Sequence, residues 1–272
     1  LSDRPIRERL AEANDRRAFT VFEALKNGYT VEKLHEMTKI DEWFLYKLKN
    51  LADFELHLAK DGLCEGDYKK AKRLSYPDEV ITRLTGEKEL PSIPCTYKMV
   101  DTCGAEFSAE TPYFYSTYDR VCEARELARS GKPCVMVLGS GPIRIGQGIE
   151  FDYSSVHCVW TLKKLGYDVV IVNNNPETVS TDYDSSDKLF FEPLTLEDVL
   201  HICEQEKPDG VIVQFGGQTP LNLANALEAH GVPIIGTDCE AIRNAEDRGC
   251  FETIMEELRI PQPEAEAVTD IE

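Results

Sequence analysis

The chain has 272 residues, of which 42% are hydrophobic and 29% are charged, and its formal net charge is −19. This length and composition predict a globular chain with one large domain or two ordinary ones. A surface this acidic repels phosphate-rich polymers, which argues against nucleic acid as a partner. No apolar run approaches the roughly 20 residues that span a bilayer, and the first residues are charged where a signal peptide is apolar. We therefore expect a cytoplasmic protein without a membrane partner.

Residues 1–96 carry apolar side chains at helical spacing and show no strand-like alternation. The longest predicted helix starts after Asp41 as its N-cap, places Phe44, Leu48 and Leu51 on one face, and ends near Gly62. Shorter helices are predicted around it. This part of the chain is therefore predicted to be an all-helical domain.

The cysteines and histidines give no indication of a metal site. The nine cysteines are scattered and never form a Cys-x-x-Cys pair, so they are predicted to be free thiols in a reducing compartment. For His35 and His57 we count no paired ligand at four-residue helical spacing. No metal is therefore expected to bind.

The stretch at residues 90–119 combines three prolines with a run of aromatic side chains, and the aromatic side chains lie in the segment at residues 97–131. Leaving a large apolar side chain in water forfeits about 1.5–3 kcal/mol, so a flexible linker is a poor explanation. We predict an irregular packed strap between two domains, followed by a leading helix. Stacking of the aromatic rings on a single-stranded nucleic acid is the alternative, but no basic groove accompanies them.

From Lys132 onward, short runs rich in Val and Ile alternate with helix-like segments. The five runs are CVMVLG, DVVIVNNN, KLFFEP, GVIVQFG and VPIIGT. Continuous apolar runs are typical of parallel strands that are covered on both faces. For residues 132–238 we predict a doubly wound, mainly parallel five-stranded sheet of Rossmann-like type, so the fold class of the whole chain is α plus α/β.

A glycine-rich loop, GSGPIRIGQGIEFDY at residues 139–153, follows the first of these runs. It does not fit the dinucleotide fingerprint, because Arg144 stands where the third glycine is needed. It does not fit the P-loop either, because Gln147 and Gly148 occupy the places of the lysine and the hydroxyl residue. Nicotinamide and P-loop nucleotide binding are therefore not expected here.

Polar groups follow several of the predicted strands. Arg144 and Glu150 come after the first, Glu177 after the second, and Gly216 and Gly217 lie in the loop after the fourth. Ligands of doubly wound sheets gather beyond the carboxyl ends of the strands, so these residues predict a site or a passage. The alternative is that the glycines only turn the chain and the charges are solvated.

Several long stretches resemble the large subunit of carbamoyl phosphate synthetase. They are YKMVDTCGAEFSAETPYFYSTYD, VMVLGSGPIRIGQGIEFDY, VNNNPETVSTDYDSSDKLFFEPLTLEDVL, GVIVQFGGQTPLNLA and AEDR. They resemble the second, carbamoyl-phosphate-forming half of that family and cover the chain from about Tyr97 to its end. Residues 1–96 stand where the family has its oligomerisation domain, with a weaker match. The resemblance implies a fragment: that domain, the pre-ATP-grasp domain, and at residues 239–272 the start of a truncated ATP-grasp domain.

The resemblance also implies a function and partners. The whole enzyme would make carbamoyl phosphate from bicarbonate, glutamine-derived ammonia and two ATP, for arginine and pyrimidine synthesis. It would use Mg²⁺ or Mn²⁺ and K⁺, and a glutaminase small subunit would be its partner. The present piece would form a homo-oligomer through its helical domain, hold no cofactor tightly and be inactive alone, because the residues after the last strand are too few for an ATP clamp.

Four residues acquire roles from this resemblance. Arg144, Glu150 and Glu177 match polar residues that line a carbamate tunnel, and Arg248 in AEDR matches an arginine that contacts ATP. Arg248 in a surface ion pair is the alternative, and no catalytic residue is expected in this piece. A stand-alone assembly module and an independent nucleotide-binding protein are the competing functions.

Overall fold

The computed structural model describes residues 4–127, 130–141 and 149–263, and the chain divides into two compact units, residues 1–94 and 95–272. Among the helices of the described residues, none has both the length and the apolar character needed to cross a bilayer.

The first unit is helical in its described part, as predicted. Its helices are α1 (Ile6–Ala11), α2 (Arg17–Lys26), α3 (Val31–Thr38), α4 (Glu42–Asp61), α5 (Asp67–Arg73) and α6 (Asp78–Thr85). Side-chain caps begin two of them: Thr30 accepts from the backbone N–H of Lys33, and Asp41 accepts from that of Trp43. Gly62 ends α4 in a left-handed conformation, with φ of 73°.

Two hydrophobic clusters form the core of this unit, and α4 contributes to both. One cluster contains residues of α1, α2, α3 and α4, and the other contains residues of α4, α5 and α6. The predicted inner face of α4 is wrong at Phe44, which is 58% exposed, whereas Leu45 is fully buried. Leu48 and Leu51 are partly buried against the two clusters, as predicted, and Leu45 and Ala52 are the fully buried residues beside them.

The second unit contains a six-stranded sheet. The strands are β1 (Thr96–Met99), β2 (Tyr113–Thr117), β3 (Cys134–Leu138), β4 (Asp168–Val172), β5 (Lys188–Phe190) and β6 (Gly210–Ile212), in the order β1-β2-β5-β4-β3-β6. Among these described strands, β1 pairs with β2 in the antiparallel sense and the other four pairings are parallel. The helices are α7 (Glu150–Lys164), α8 (Leu196–Glu206), α9 (Gln218–Leu221), α10 (Ala224–Ala229), α11 (Cys239–Glu246) and α12 (Arg248–Glu257).

The strand count differs from the predicted five because the segment expected to be an irregular strap supplies β1 and β2. Phe114 of β2 lies opposite Phe190 of β5 in the parallel register, and the ring of Tyr97 packs against Phe190 with centroids 4.8 Å apart. The aromatic side chains are therefore buried by sheet extension. The expected leading helix is reduced, in the described residues, to a 3-10 turn at Glu123–Arg125.

The last predicted strand, VPIIGT, is reduced in the described structure to an isolated parallel bridge between Val211 and Ile234. Pro233 offers no N–H to a ladder, and Gly236, with φ of 88°, turns the chain away two residues later.

Both faces of the sheet are covered, which explains the continuous apolar runs. Met136, Leu138 and Val172 point into a cluster with α8 and α10, while Val135 and Ile171 point into a cluster with α7. The chain runs from β3 outward through β4 to β5 and then returns to place β6 on the other side of β3. The fold is thus doubly wound as predicted, with its switch point between β3 and β6.

Candidate functional site

At the carboxyl edge of the sheet, the loops that follow β3, β4 and β6 pack very closely against one another. A methyl group added at Gly216 would overlap the carbonyl oxygen of Gly139, and one added at Gly139 would lie 2.7 Å from Cγ of Asn173. No side chain fits at either position without moving a neighbouring loop. The glycines at the switch point therefore have a packing role that does not require a nucleotide.

Asn173 joins two of these loops. Its side chain is fully buried, and Oδ1 accepts hydrogen bonds from the backbone N–H of Gly141 at 3.0 Å and of Asn175 at 3.4 Å. Its Nδ2 donates to Oγ of Ser180 at 3.3 Å. Since this amide satisfies buried backbone groups, it holds the loop after β3 against the loop after β4.

Asp152 connects the first turn of α7 to the same region. It is 7% exposed, and Oδ2 accepts from the backbone N–H of Ser180 at 3.2 Å. Its Oδ1 and Oγ of Ser155, one helical turn later, are buried and have no hydrogen-bond partner among the described residues. The helix dipole favours a carboxylate in the first turn of a helix, which stabilises Asp152 at this position. Asp152 and Ser155 therefore form a buried polar site beneath the start of α7.

Two of the residues predicted to line a tunnel lie at this edge. Glu150 is the first residue of α7, and Glu177 lies in the loop after β4, where its backbone N–H donates to Oδ1 of Asn175 at 3.1 Å. Both side chains are exposed. The hydrogen bond between Asp152 and Ser180 joins the two segments that carry them. The third predicted residue, Arg144, lies outside the described residues.

Arg248, predicted to contact ATP, is the exposed first residue of α12. The carboxylate of Asp247 caps this helix by accepting from the backbone N–H of Cys250 at 2.9 Å, and these hydrogen bonds lower the pKa of Asp247. Further back, Nε2 of Gln218 in α9 donates to Oε2 of Glu246 at 3.3 Å. This contact ties the segment leading to Arg248 to the loop after β6.

Glu192, two residues after β5, is a buried acid that the sequence pattern did not single out. It is 5% exposed, and its carboxylate accepts a short hydrogen bond from the backbone N–H of Ser116. Burial raises the pKa of Glu192 to about 7; the hydrogen bond from Ser116 opposes this rise, and Asp198 adds to it. It is identified only when β2 is known to lie beside β5. The roles of Asn173 and Asp152 likewise depend on contacts between separate segments, because their partners Gly141 and Ser180 lie 32 and 28 residues away in the chain.

The opposite, amino edge of the sheet carries a second polar group. Nζ of Lys188 lies 3.1 Å from both carboxylate oxygens of Glu206 and donates to the carbonyl of Ala124 at 2.9 Å. A cavity of about 370 Å³ adjoins this ion pair and the first residues of β3 and β4. It lies away from the predicted site residues, so we assign the ion pair to the stability of the unit.

The chain thus has a helical domain followed by a doubly wound α/β domain, whose strand-end loops carry polar groups. Comparison with known proteins identifies the same two domains. A family model described as "Carbamoyl-phosphate synthetase large chain, oligomerisation domain" matches residues 1–93, and one described as "Carbamoyl phosphate synthase preATP-grasp domain" matches residues 131–244. The carbamoyl phosphate synthase large chain of Lachnoclostridium phytofermentans is 49% identical over 272 residues, covering 97% of this chain and 25% of that protein.

The chain belongs to the carbamoyl phosphate synthetase large-subunit family, and it comprises an oligomerisation domain and a pre-ATP-grasp domain. It spans about a quarter of the length of the curated relative that it matches. The resemblance noted from the sequence is thereby confirmed.

Proposed function

We propose that this chain acts as part of a glutamine-hydrolysing carbamoyl phosphate synthase, an ATP-dependent carbon–nitrogen ligase. The enzyme would form carbamoyl phosphate from bicarbonate, glutamine-derived ammonia and two ATP, in the cytoplasm and for arginine or pyrimidine synthesis. The observation that carries this proposal is the 49% identity to a carbamoyl phosphate synthase large chain across 97% of the chain. The partners would be the remainder of the large subunit and a glutaminase small subunit.

Within that enzyme, Arg144, Glu150 and Glu177 would line a passage for carbamate. The proposal is supported by the hydrogen bond between Asp152 and Ser180, which joins the segments of the two glutamates at the carboxyl edge. An arginine can hold the carboxylate of carbamate through paired donors, while glutamate oxygens can accept from its amino group. Such groups pass a labile intermediate by hydrogen bonds without reacting with it.

Arg248 would supply one phosphate contact to ATP in the second half of the enzyme. Its side chain is exposed and permanently charged, which fits this role. The start of α12 offers less, because Asp247 already accepts the Cys250 N–H that a phosphate would use. We therefore assign Mg²⁺ or Mn²⁺, K⁺ and the remaining ATP contacts to other parts of the large subunit. On this proposal residues 239–272 begin an ATP-grasp domain, and the chain alone has no ligase activity.

The helical unit would provide a surface for homo-oligomer formation. Several large apolar side chains of this unit are exposed: Phe19 at 64%, Trp43 at 61% and Phe44 at 58%. Exposed aromatic groups of this kind are typical of protein–protein interfaces. Their presence agrees with the oligomerisation domain that the family model identifies in residues 1–93.

The tunnel is tested with Glu177→Gln in the complete enzyme. We expect glutamine hydrolysis and bicarbonate-dependent ATP use to continue while carbamoyl phosphate output falls. Asp184→Asn, an exposed acid in the same loop, is the matched control and should leave all three rates unchanged. Equal loss of every partial reaction in Glu177→Gln would indicate misfolding or another role and would count against the passage.

The competing functions have their own tests on the 272-residue chain. Light scattering across a concentration range should show self-association that is lost in Trp43→Ser/Phe44→Ser and kept in Phe107→Ser, which removes a 76% exposed ring from the other unit. A monomer at every concentration would contradict the oligomer. Tight binding of ATP or NAD in a calorimeter would instead favour an independent nucleotide-binding protein.

A further inference from the structure

Three chemically different ligand groups meet between α4 and α5. They are His57 in the last turns of α4, Cys64 in the connecting loop and Asp67 at the start of α5, and their ligand atoms all lie within 4.8 Å of one another. The sequence offered no Cys-x-x-Cys or His-x₃-His pattern here. It did place Asp61 four residues after His57, a partner that our count of ligands at helical spacing overlooked.

The loop geometry brings these groups together. Gly62 ends α4 with a positive φ, which lets the chain reverse immediately and carry Cys64 back toward the helix. The backbone N–H of Cys64 donates to Oδ2 of Asp67 at 3.0 Å. This hydrogen bond fixes the loop so that Sγ of Cys64 and the carboxylate of Asp67 both lie within 4.8 Å of a ring nitrogen of His57.

The imidazole of His57 is already oriented by carboxylates on both sides. Nδ1 lies 3.0 Å from Oδ2 of Asp61, and Nε2 lies 2.9 Å from Oδ2 of Asp67. A histidine that binds a metal through one ring nitrogen commonly donates its other N–H to a carboxylate, which fixes the tautomer and the ring plane. Asp61 stands in that outer position at Nδ1, and Nε2 faces Asp67.

We propose that Nε2 of His57, Sγ of Cys64 and the carboxylate of Asp67 bind a thiophilic divalent cation of the Zn²⁺ type. A neutral imidazole, a thiolate and a carboxylate together balance the charge of a divalent ion, and the thiolate selects zinc-like ions against Mg²⁺. The ligand bonds of about 2.0–2.3 Å require only small side-chain movements from the observed spacing. Both ring nitrogens of His57 donate to carboxylates in the structure. Binding therefore releases the Nε2 proton as well as the thiol proton to solvent, while Nδ1 keeps its proton on the contact to Asp61 and water takes the fourth position.

This cation would clamp the end of α4 to the start of α5. Asp67 is 14% exposed on its side chain and His57 is 36% exposed, so the site is shielded on one side while Cys64 leaves an entry path. The clamp closes only a short loop. Its expected effect is therefore greater rigidity and higher stability of the helical unit, separate from the carboxyl edge of the sheet.

Calorimetric titration of the reduced 272-residue chain with Zn²⁺ tests this inference. We expect one site per chain, at least a tenfold loss of affinity in Cys64→Ser and in Asp67→Asn, and a loss of about 10- to 100-fold in Asp61→Asn through the outer contact. Cys250→Ser, which removes a half-buried thiol outside the cluster, is the control and should bind as the parent does. Mg²⁺ should not compete.

Co²⁺ supplies an independent readout that requires no destabilising variant. The parent chain should develop the charge-transfer absorption of a thiolate–cobalt bond, Cys64→Ser should lose it, and Cys250→Ser should keep it. Zn²⁺ should also raise the unfolding temperature of the parent and not that of Cys64→Ser. If the parent chain shows no stoichiometric site, or if Cys64→Ser retains the cobalt band, the inference is overturned.

Discussion

The buried carboxyl of Glu192 should make the sheet unit less stable as the pH rises. Its pKa is raised from 4.5 to about 7, first of all by burial. The folded state therefore holds this proton to a higher pH than the unfolded state does. The stabilising contribution of the protonated form is complete below pH 4.5 and is lost as the pH rises through about 7.

Glu192→Gln removes the titration and keeps the local contact, because the amide oxygen of glutamine can accept from the Ser116 N–H. The rise of the pKa from 4.5 to about 7 corresponds, at about 1.4 kcal/mol per pKa unit, to about 3 kcal/mol. The free energy of unfolding of the variant, relative to the parent, should therefore increase by about 3 kcal/mol between pH 4 and pH 8. Most of this change should fall between pH 4.5 and 7.

Denaturant unfolding followed by tryptophan fluorescence measures this difference. The chain has two tryptophans, so a Trp43→Phe background leaves Trp160, in α7, as the reporter of the sheet unit. Glu204→Gln, an exposed acid on α8, is the matched control for loss of one carboxyl from the same unit. A difference between Glu192→Gln and the parent that does not change with pH would refute the reasoning, since only a titrating group produces a pH-dependent difference.

Three further predictions concern the stability of the same unit and use the same denaturant assay. Lys188→Met should lower the free energy of unfolding by about 3–5 kcal/mol, because the buried carboxylate of Glu206 loses its cation. The double variant Lys188→Met/Glu206→Leu should recover much of that loss. An equal loss in the single and the double variant would contradict the ion-pair explanation. Gly216→Ala should destabilise strongly through the overlap with the neighbouring loop, whereas Gly249→Ala, where the added methyl lies 3.4 Å from its nearest atom, should be tolerated. Asn173→Ala should lower the free energy of unfolding by about 1–3 kcal/mol, because the buried backbone N–H of Gly141 loses its acceptor. An unchanged free energy of unfolding would show that this N–H finds another acceptor.

Much of the fold could be read from local patterns. The cap at Asp41 and the glycine at Gly62 predicted the limits of the longest helix, and the short apolar runs predicted β3, β4, β5 and β6. These signals work because caps, turns and periodic burial depend on residues that are close in the sequence. The prediction that Glu150 and Glu177 lie at one sheet edge relied on a topological rule, and the structure places both there; their role in a carbamate passage stays a prediction.

Other features depended on contacts between distant segments. Tyr97 and Phe114 signalled burial, but their segments are strands because β1 pairs with β2 and β2 pairs with β5. Burial raises the pKa of Glu192, and one of the residues that enclose it, Ser116 of β2, lies 76 residues earlier in the chain. No local pattern reports such contacts, which is why the strap was predicted as irregular and Glu192 was missed.

A helical unit followed by a doubly wound unit, and the family of the chain, are all apparent from local patterns and motifs. Only the folded chain shows that closely packed loops require Gly139 and Gly216, and that His57, Cys64 and Asp67 form one cluster. The physical reason is that secondary structure follows from the periodic burial of neighbouring residues, whereas a site requires specific atoms from separate segments to lie within a few ångströms. That proximity arises only when the whole chain has packed.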